Sequence, residues 1–221
     1  MRFRREEDTV SFDDGGMNLL SSAALRELRD VIDDCRADGR MLVFGSGRDH
    51  IFAAGADMTE MANFAAADAR AFARLGQETF DAIERLPFVT VAIIDGDCFG
   101  GALDLVLSFD LRFATPRARF AHPGARLGIV TGFGGTSRWR KALTPPAARR
   151  LFLANEILSA ADAQALGLVD RVAESFDDEL ARLAALDPTT TRFVKELARA
   201  SDRISPSQVA LLGGRLGAIY F

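Results

Sequence analysis

The chain has 221 residues, 48% of them hydrophobic, and a formal net charge of −4; this length and apolar content suit one domain with a core of its own. The acidic balance provides no positive surface for nucleic acid, and no apolar run approaches the ~20 residues of a membrane-spanning helix. The charged N-terminus lacks the apolar region of a signal peptide, so we expect a cytoplasmic protein with reduced, partly buried thiols at Cys35 and Cys98.

Short apolar runs alternate with amphipathic stretches along the chain. The runs predict strands over 9–12, 41–46, 89–94, 111–114, 118–121 and 168–172, and the run over 89–94 is rich in β-branched residues. Apolar positions at helical spacing, caps and prolines predict helices after Ser21 or Ser22, over 65–85 and 102–107, after 132–136, from Pro145, and from Ser159 to Gly167. From Phe176 onward the pattern predicts three amphipathic helices, broken near Pro188 and Pro206.

Two of these strands end in glycine-containing loops. The strand over 41–46 leads to Gly55-Ala56, and the strand over 89–94 leads to Gly100-Gly101 at the start of a short helix. Glycine leaves backbone N–H groups open to close approach. Two converging N–H donors form an oxyanion hole, which stabilises a transition state by a few kcal/mol per donor. Asp104 follows Gly101 by three residues and shares its helical face.

Four longer segments carry a resemblance to a known family. They are FAAGADMTEM (52–61), DGDCFGGALDLVLSFDLRFA (95–114), ARFAHPGARLGIVTGFGGTSRW (118–139) and LSAADAQALGLVDRV (158–172). In this order and spacing they resemble the enoyl-CoA hydratase/isomerase, or crotonase, family. The resemblance implies an α/β fold, with a ββα spiral of stacked sheets over 1–172. It also implies a C-terminal helical segment over 173–221, shorter here than is common, that packs in a homotrimer or a dimer of trimers.

The resemblance also implies the chemistry. The substrate is an acyl-CoA thioester, with coenzyme A as part of the substrate and no separate cofactor or metal. The thioester oxygen lies between the backbone N–H groups of Ala56 and Gly101, which stabilise an enolate, and Asp104 is the acid/base group. The expected substrate-binding residues flank these three: Ala54, Gly55, Asp57, Met58, Gly100, His122, Gly124, Thr131 and Phe133.

The chain departs from the resembled hydratases at two positions. Those enzymes carry two glutamates; one position is Asp104 here, shorter by one methylene, and the other is Gly124, within His122-Pro123-Gly124. A shift of about 1 Å in a catalytic group can cost a hundredfold in rate. His122 titrates near neutrality and is either a proton carrier or a strand-end histidine bonded to backbone. Thr131 is a further polar candidate, whereas Asp57 is expected to fix its loop.

Three functions fit these residues. The first is an acyl-CoA enzyme of the hydratase/isomerase type that uses Asp104. The second is decarboxylation of a malonyl-type thioester, or hydrolysis, which needs the oxyanion hole and no second glutamate. The third is a non-catalytic subunit that binds acyl-CoA or supports a partner, against which the two intact glycine loops argue. A set of arginines after the second loop either contacts coenzyme A phosphates or forms a solvated face: Arg138, Arg140, Arg149 and Arg150.

Overall fold

The computed structural model describes residues 2–200, apart from the side chains at 37, 38, 141 and 200. Its strands are Phe3–Glu6 (β1), Thr9–Phe12 (β2), Leu19–Leu20 (β3), Met41–Ser46 (β4), Ile51–Ala53 (β5), Gly55–Ala56 (β6), Val89–Ile94 (β7), Asp97–Phe99 (β8), Leu111–Ala114 (β9), Arg119–Ala121 (β10), Leu158–Ser159 (β11) and Arg171–Val172 (β12). Its helices are Ser22–Asp38 (α1), Met58–Met61 (α2), Ala66–Glu84 (α3), Gly101–Val106 (α4), Gly124–Leu127 (α5), Gly135–Ala142 (α6), Pro145–Phe152 (α7), Ala160–Ala165 (α8), Asp177–Ala184 (α9) and Pro188–Ala200 (α10).

Two stacked sheets organise these elements. A six-stranded sheet has the order β1-β2-β4-β7-β9-β12, and a four-stranded sheet has the order β11-β10-β8-β5. Apart from the antiparallel β1–β2 and β10–β11 pairs, the pairs in both sheets are parallel. A third, parallel pair joins β3 to β6, with Leu20 opposite Ala56. The predicted α/β fold of stacked sheets is therefore confirmed.

The helices begin where the sequence provides caps. The Ser21 hydroxyl accepts a hydrogen bond from the Ala24 N–H at 3.1 Å, and Thr144 caps α7 with Pro145 in its first turn. Ser159 and Asp162 form a reciprocal capping box at the start of α8. The apolar face of α1 is buried as its spacing predicts, with Leu25, Leu28 and Ile32 fully inaccessible and Val31 nearly so.

The sequence pattern predicts the second strand of the N-terminal hairpin, β2, but not the first, β1. β1 alternates a buried Phe3 with exposed charged residues, and the Phe3 ring stacks on Phe12 at 4.4 Å between centroids. The period-two pattern is there, but the arginines and glutamates on its open face obscure the one apolar position. Cys35 and Cys98 are both buried, and more completely than the partly buried thiols that the sequence predicts.

The start of the C-terminal segment packs on the outer face of the six-stranded sheet. The Phe176 ring stacks on Phe113 at 5.1 Å, and Nζ of Lys195 on α10 lies 2.6 Å from Oδ2 of Asp110. Two of the three predicted C-terminal helices are present as α9 and α10. The third, after Pro206, lies outside the described residues, and the domain boundary at residue 172 stays a prediction. Within 2–200, no helix combines the length and hydropathy that crossing a bilayer requires.

Candidate active site

A cavity of about 270 Å³ lies where the two glycine loops meet. Helix α3, the segment after β10 and the loop before α6 form its other walls. Nine of the twelve predicted site residues line it: Ala54, Ala56, Met58, Gly100, Gly101, His122, Gly124, Thr131 and Phe133. Gly55, Asp57 and Asp104 are not part of this lining. The structure thus brings residues from five separate segments to one place.

The first wall is the Gly55-Ala56 strand. The β3–β6 pairing holds it, together with a hydrogen bond from the Asp57 N–H to the Leu20 carbonyl at 3.2 Å. The Asp57 carboxylate caps α2 by accepting hydrogen bonds from the Thr59 and Glu60 N–H groups, so this side chain fixes the loop. Gly55 has φ +98°, and a Cβ there would lie 2.7 Å from the Phe99 carbonyl oxygen and 2.9 Å from the Gly101 nitrogen. Glycine is therefore required for the close approach of the two loops.

The second wall is the start of α4. Gly100 has φ +55°, and its N–H donates to the Ala121 carbonyl at 2.9 Å. Gly101 is the first residue of the helix, so its N–H has no partner within the helix. A methyl group placed on Gly101 would lie 3.4 Å from the Ala56 nitrogen and 3.0 Å from the Phe133 ring. The backbone nitrogens of Ala56 and Gly101 are thus close neighbours at the cavity.

Asp104 lies on the inner face of α4 and has no exposed surface. Its Oδ2 accepts a hydrogen bond from the Thr131 hydroxyl. Its Oδ1 lies against the backbone of Gly135 and has no hydrogen bond of normal geometry. Burial raises the pKa of this carboxyl group to about 7, although the Thr131 hydroxyl, the Arg138 charge and the Gly135 amide act in the opposite direction. A carboxyl group with this pKa gains and loses a proton near neutral pH.

His122 follows β10 and is almost fully buried. Its Nε2 lies 3.7 Å from the free Oδ1 of Asp104 and also lacks a hydrogen-bond partner. The ring packs on Phe152 at 4.6 Å between centroids, and burial lowers the pKa of the imidazole. The histidine therefore lies beside the buried carboxyl group, with one nitrogen unpaired.

Gly124 occupies the position where the resembled hydratases carry their second glutamate. A Cβ there would lie 2.7 Å from the Ile129 carbonyl oxygen and 3.1 Å from Cε1 of His122. The first of these atoms is backbone and has little freedom to move. The space for a second carboxylate is therefore taken by the imidazole and by the chain after α5.

Gly124→Glu is accordingly expected not to restore a second acid. Overpacking of this kind costs about 1–3 kcal/mol, so we expect a lower free energy of unfolding and no faster hydration of crotonyl-CoA. Ala125→Glu, exposed one residue later, controls for the added charge. Denaturant unfolding and a hydration assay of both variants measure this; unchanged stability with faster hydration in Gly124→Glu would contradict it.

The sequence predicts that Arg138 contacts coenzyme A phosphates or lies on a solvated face, and the structure shows neither. Its guanidinium is 6% exposed and bonds the Phe133 carbonyl, Asp81 and Glu84. It thereby fixes the loop that carries Phe133. The other three arginines are exposed. The sequence does not predict the contact of Phe152 with His122, because helical spacing shows that a residue is apolar and buried but not which side chain it contacts.

A larger cavity of about 590 Å³ lies between α10 and the six-stranded sheet. Its charged lining residues include Lys195 and Asp110, which pair with each other. Neither glycine loop reaches it. The smaller cavity is therefore the candidate active site.

Comparison with known proteins gives consistent matches. The family model for enoyl-CoA hydratase/isomerase matches residues 9–205. The crotonyl-CoA hydratase of Syntrophomonas wolfei is 36% identical over 161 residues, which are 72% of this chain and 62% of that protein. The structure of Pseudomonas aeruginosa DspI aligns with a TM-score of 0.85 and 28% identity, covering 93% of this chain and 88% of that one. An enoyl-CoA hydratase from Thermoplasma volcanium, 24% identical, shares the fold with a TM-score of 0.90 over 98% of this chain and 90% of that one. The chain spans about three fifths of the length of the curated relatives that it matches.

Proposed function

This chain belongs to the enoyl-CoA hydratase/isomerase family, and on that basis we propose that it binds an acyl-CoA thioester and forms and protonates its enolate. The observation that carries the proposal is the approach of the Ala56 and Gly101 backbone nitrogens at the cavity. Curated relatives with names such as crotonyl-CoA hydratase support the substrate class. Coenzyme A enters as part of the substrate, with no separate cofactor.

The two nitrogens act on the thioester carbonyl. With the carbonyl oxygen between the N–H groups of Ala56 and Gly101, negative charge that develops there is stabilised by two fixed donors. Each such donor contributes about 3–4 kcal/mol to the transition state of related acyl chemistry. The apolar lining from α3 and the Phe133 ring exclude water and strengthen this interaction.

Asp104 has the acid/base role in this proposal. Its pKa of about 7 allows it both to take a proton from the α-carbon and to return one at neutral pH. The carboxyl group does not line the cavity; it reaches the lining through Thr131 on one oxygen and faces His122 on the other. One carboxyl group that both removes and returns the proton suits either double-bond migration or the addition of water.

The test is a substrate panel read by mass spectrometry, with crotonyl-CoA, a 3-enoyl-CoA and methylmalonyl-CoA. We expect hydration of the first or isomerisation of the second, and loss of either product in Asp104→Ala. Loss of carbon dioxide from methylmalonyl-CoA that survives this substitution would instead indicate decarboxylation by the oxyanion hole alone. Binding of all three thioesters without conversion would contradict an enzyme and favour a binding subunit.

The proposal also includes the oligomeric state of the protein and its location in the cell. The family resemblance supports a homotrimer or a dimer of trimers in the cytoplasm. Val194 on α10 is 60% exposed and Leu186 is 47% exposed, and both are apolar side chains suited to a subunit contact. Sedimentation velocity measures the assembly, and a monomer at micromolar concentration would contradict it.

A further inference from the structure

For Asp104 to act on a substrate, protons must pass between its buried carboxyl group and the cavity. The side chain has no exposed surface, and it is absent from the cavity lining, whereas Thr131 and His122 are both part of that lining. A group that never contacts the thioester exchanges protons with it only through a neighbour. The two neighbours, His122 and Thr131, differ in whether they form a hydrogen bond with Asp104.

The His122 side of the carboxyl group is closed. Oδ1 of Asp104 and Nε2 of His122 face each other at 3.7 Å, and both atoms are buried and unpartnered. This separation is too long for a hydrogen bond. The described residues therefore provide no hydrogen-bonded path for a proton between Asp104 and His122.

The Thr131 side is open. The Thr131 hydroxyl donates to Oδ2 of Asp104, and the residue itself is partly exposed and lines the cavity next to Gly132 and Phe133. A hydroxyl group carries one proton and two lone pairs. It therefore accepts a proton on its cavity side while it passes its own proton to the carboxylate.

We propose that Thr131 is the residue that exchanges protons with the thioester, and that Asp104 is the base behind its hydroxyl group; this inference rests on the proposed function. The C2–H bond of the thioester breaks as its proton passes to Oγ1 of Thr131, whose own proton passes to Oδ2 of Asp104. The electron pair of the C–H bond moves onto the carbonyl oxygen, which faces Ala56 and Gly101. The carboxylate becomes a neutral carboxylic acid, and the reverse transfer protonates the enolate.

Other charged and titratable groups around Asp104 set its ionisation. Arg138 on α6 lowers its pKa, and His122 after β10 faces its free oxygen. The buried Cys98 thiol on β8 has a raised pKa, in part because of the Asp104 charge, and so stays neutral. The thiol is neutral and the arginine is paired to Asp81 and Glu84, so neither of these two groups takes up the substrate proton.

The experiment measures exchange of the C2 protons of butyryl-CoA in deuterium oxide, by proton NMR, between pH 5 and pH 10. This saturated thioester tests enolate formation without hydration or isomerisation. Thr131→Val keeps the shape of the side chain and removes the hydroxyl, whereas Thr131→Ser keeps the hydroxyl. Thr136→Val, exposed on α6, is the matched control. Kd for butyryl-CoA is measured for each variant, and thermal unfolding checks that each is folded.

We expect Thr131→Val to lose at least a hundredfold in exchange rate at every pH, with Kd unchanged, and Thr131→Ser to stay within tenfold of the wild type. The result differs if Thr131 only donates a hydrogen bond to Asp104 and carries no substrate proton. Without its hydrogen bond the pKa of Asp104 rises, so the rate of Thr131→Val would return to the wild-type plateau at high pH. That recovery, or a serine variant as slow as the valine variant, would overturn the relay. Wild-type protein that binds butyryl-CoA without any exchange would overturn the proposed function and the relay together.

Discussion

Asp104→Asn is expected to slow turnover by at least about a hundredfold and at the same time to stabilise the protein above pH 7. The amide retains the size of the side chain and accepts the Thr131 hydroxyl, but it does not take up the substrate proton. General acid–base groups contribute about a hundredfold to ten-thousandfold in rate, and we expect a loss in this range for whichever panel thioester the wild type converts. The Asn amide N–H₂ also faces the unpaired Nε2 of His122.

The gain in stability follows from the raised pKa of Asp104. Its pKa rises from 3.8 to about 7 on folding, so the folded state binds the proton more tightly than the unfolded state. The free energy of unfolding therefore falls as pH rises from about 4 to about 7, and the full cost, about 4 kcal/mol, applies above pH 7. Asparagine carries no charge and avoids this cost.

Urea unfolding at pH 4 and at pH 8 measures the difference. Relative to the wild type, Asp104→Asn should gain little at pH 4 and several kcal/mol at pH 8. Asp34→Asn on the exposed face of α1 removes a charge without removing a buried one, and should show no such pH dependence. A variant that is less stable than the wild type at pH 8 would show that Asp104 is not a buried, strained acid.

Gly55→Ala is expected to disrupt the oxyanion hole. Its loss of turnover rate is the second large effect that we expect. The new Cβ would lie 2.7 Å from the Phe99 carbonyl oxygen and 2.9 Å from the Gly101 nitrogen. Both atoms belong to the backbone, so the two loops must separate. Removal of one oxyanion donor costs about a hundredfold to a thousandfold in rate, and displacement of two donors should cost at least as much.

Gly15→Ala is the matched control for this substitution. Gly15 has φ +80°, and a Cβ there has no atom within 4 Å. Both variants place alanine in the left-handed region, at a cost of about 1–2 kcal/mol, but only Gly55→Ala disturbs the cavity. Turnover of the panel thioesters should fall in Gly55→Ala and stay at the wild-type level in Gly15→Ala. Equal losses in both would assign the effect to backbone strain alone.

The sequence predicted the scaffold of this site well. The strands over 41–46 and 89–94 begin and end where predicted, because buried parallel strands appear as continuous apolar runs. The glycine pairs mark their own loops, since few other residues permit so close an approach of two backbones. The cavity lining around these loops therefore follows from local pattern together with the family resemblance.

The sequence does not predict which side chains contact one another in the site. Asp104 was expected to contact the substrate, yet it lies behind the lining, because the direction of a side chain on a six-residue helix depends on what packs against it. For His122 the sequence leaves open a proton carrier or a histidine bonded to backbone. A backbone hydrogen bond does act on its imidazole, whereas its Nε2 has no hydrogen-bond partner among the described residues. That environment arises from Phe152, Gly124 and Asp104 together, which are far apart in the chain.

The carbonyl stretching frequency of bound butyryl-CoA, measured by infrared difference spectroscopy with a ¹³C-labelled carbonyl, tests the central claim most directly. If the thioester oxygen lies between the N–H groups of Ala56 and Gly101, the frequency should shift below its value in water. The shift should persist in Asp104→Asn, which retains the backbone donors, and should shrink in Gly55→Ala. A bound thioester with the frequency that it has in water would contradict an oxyanion hole at this site.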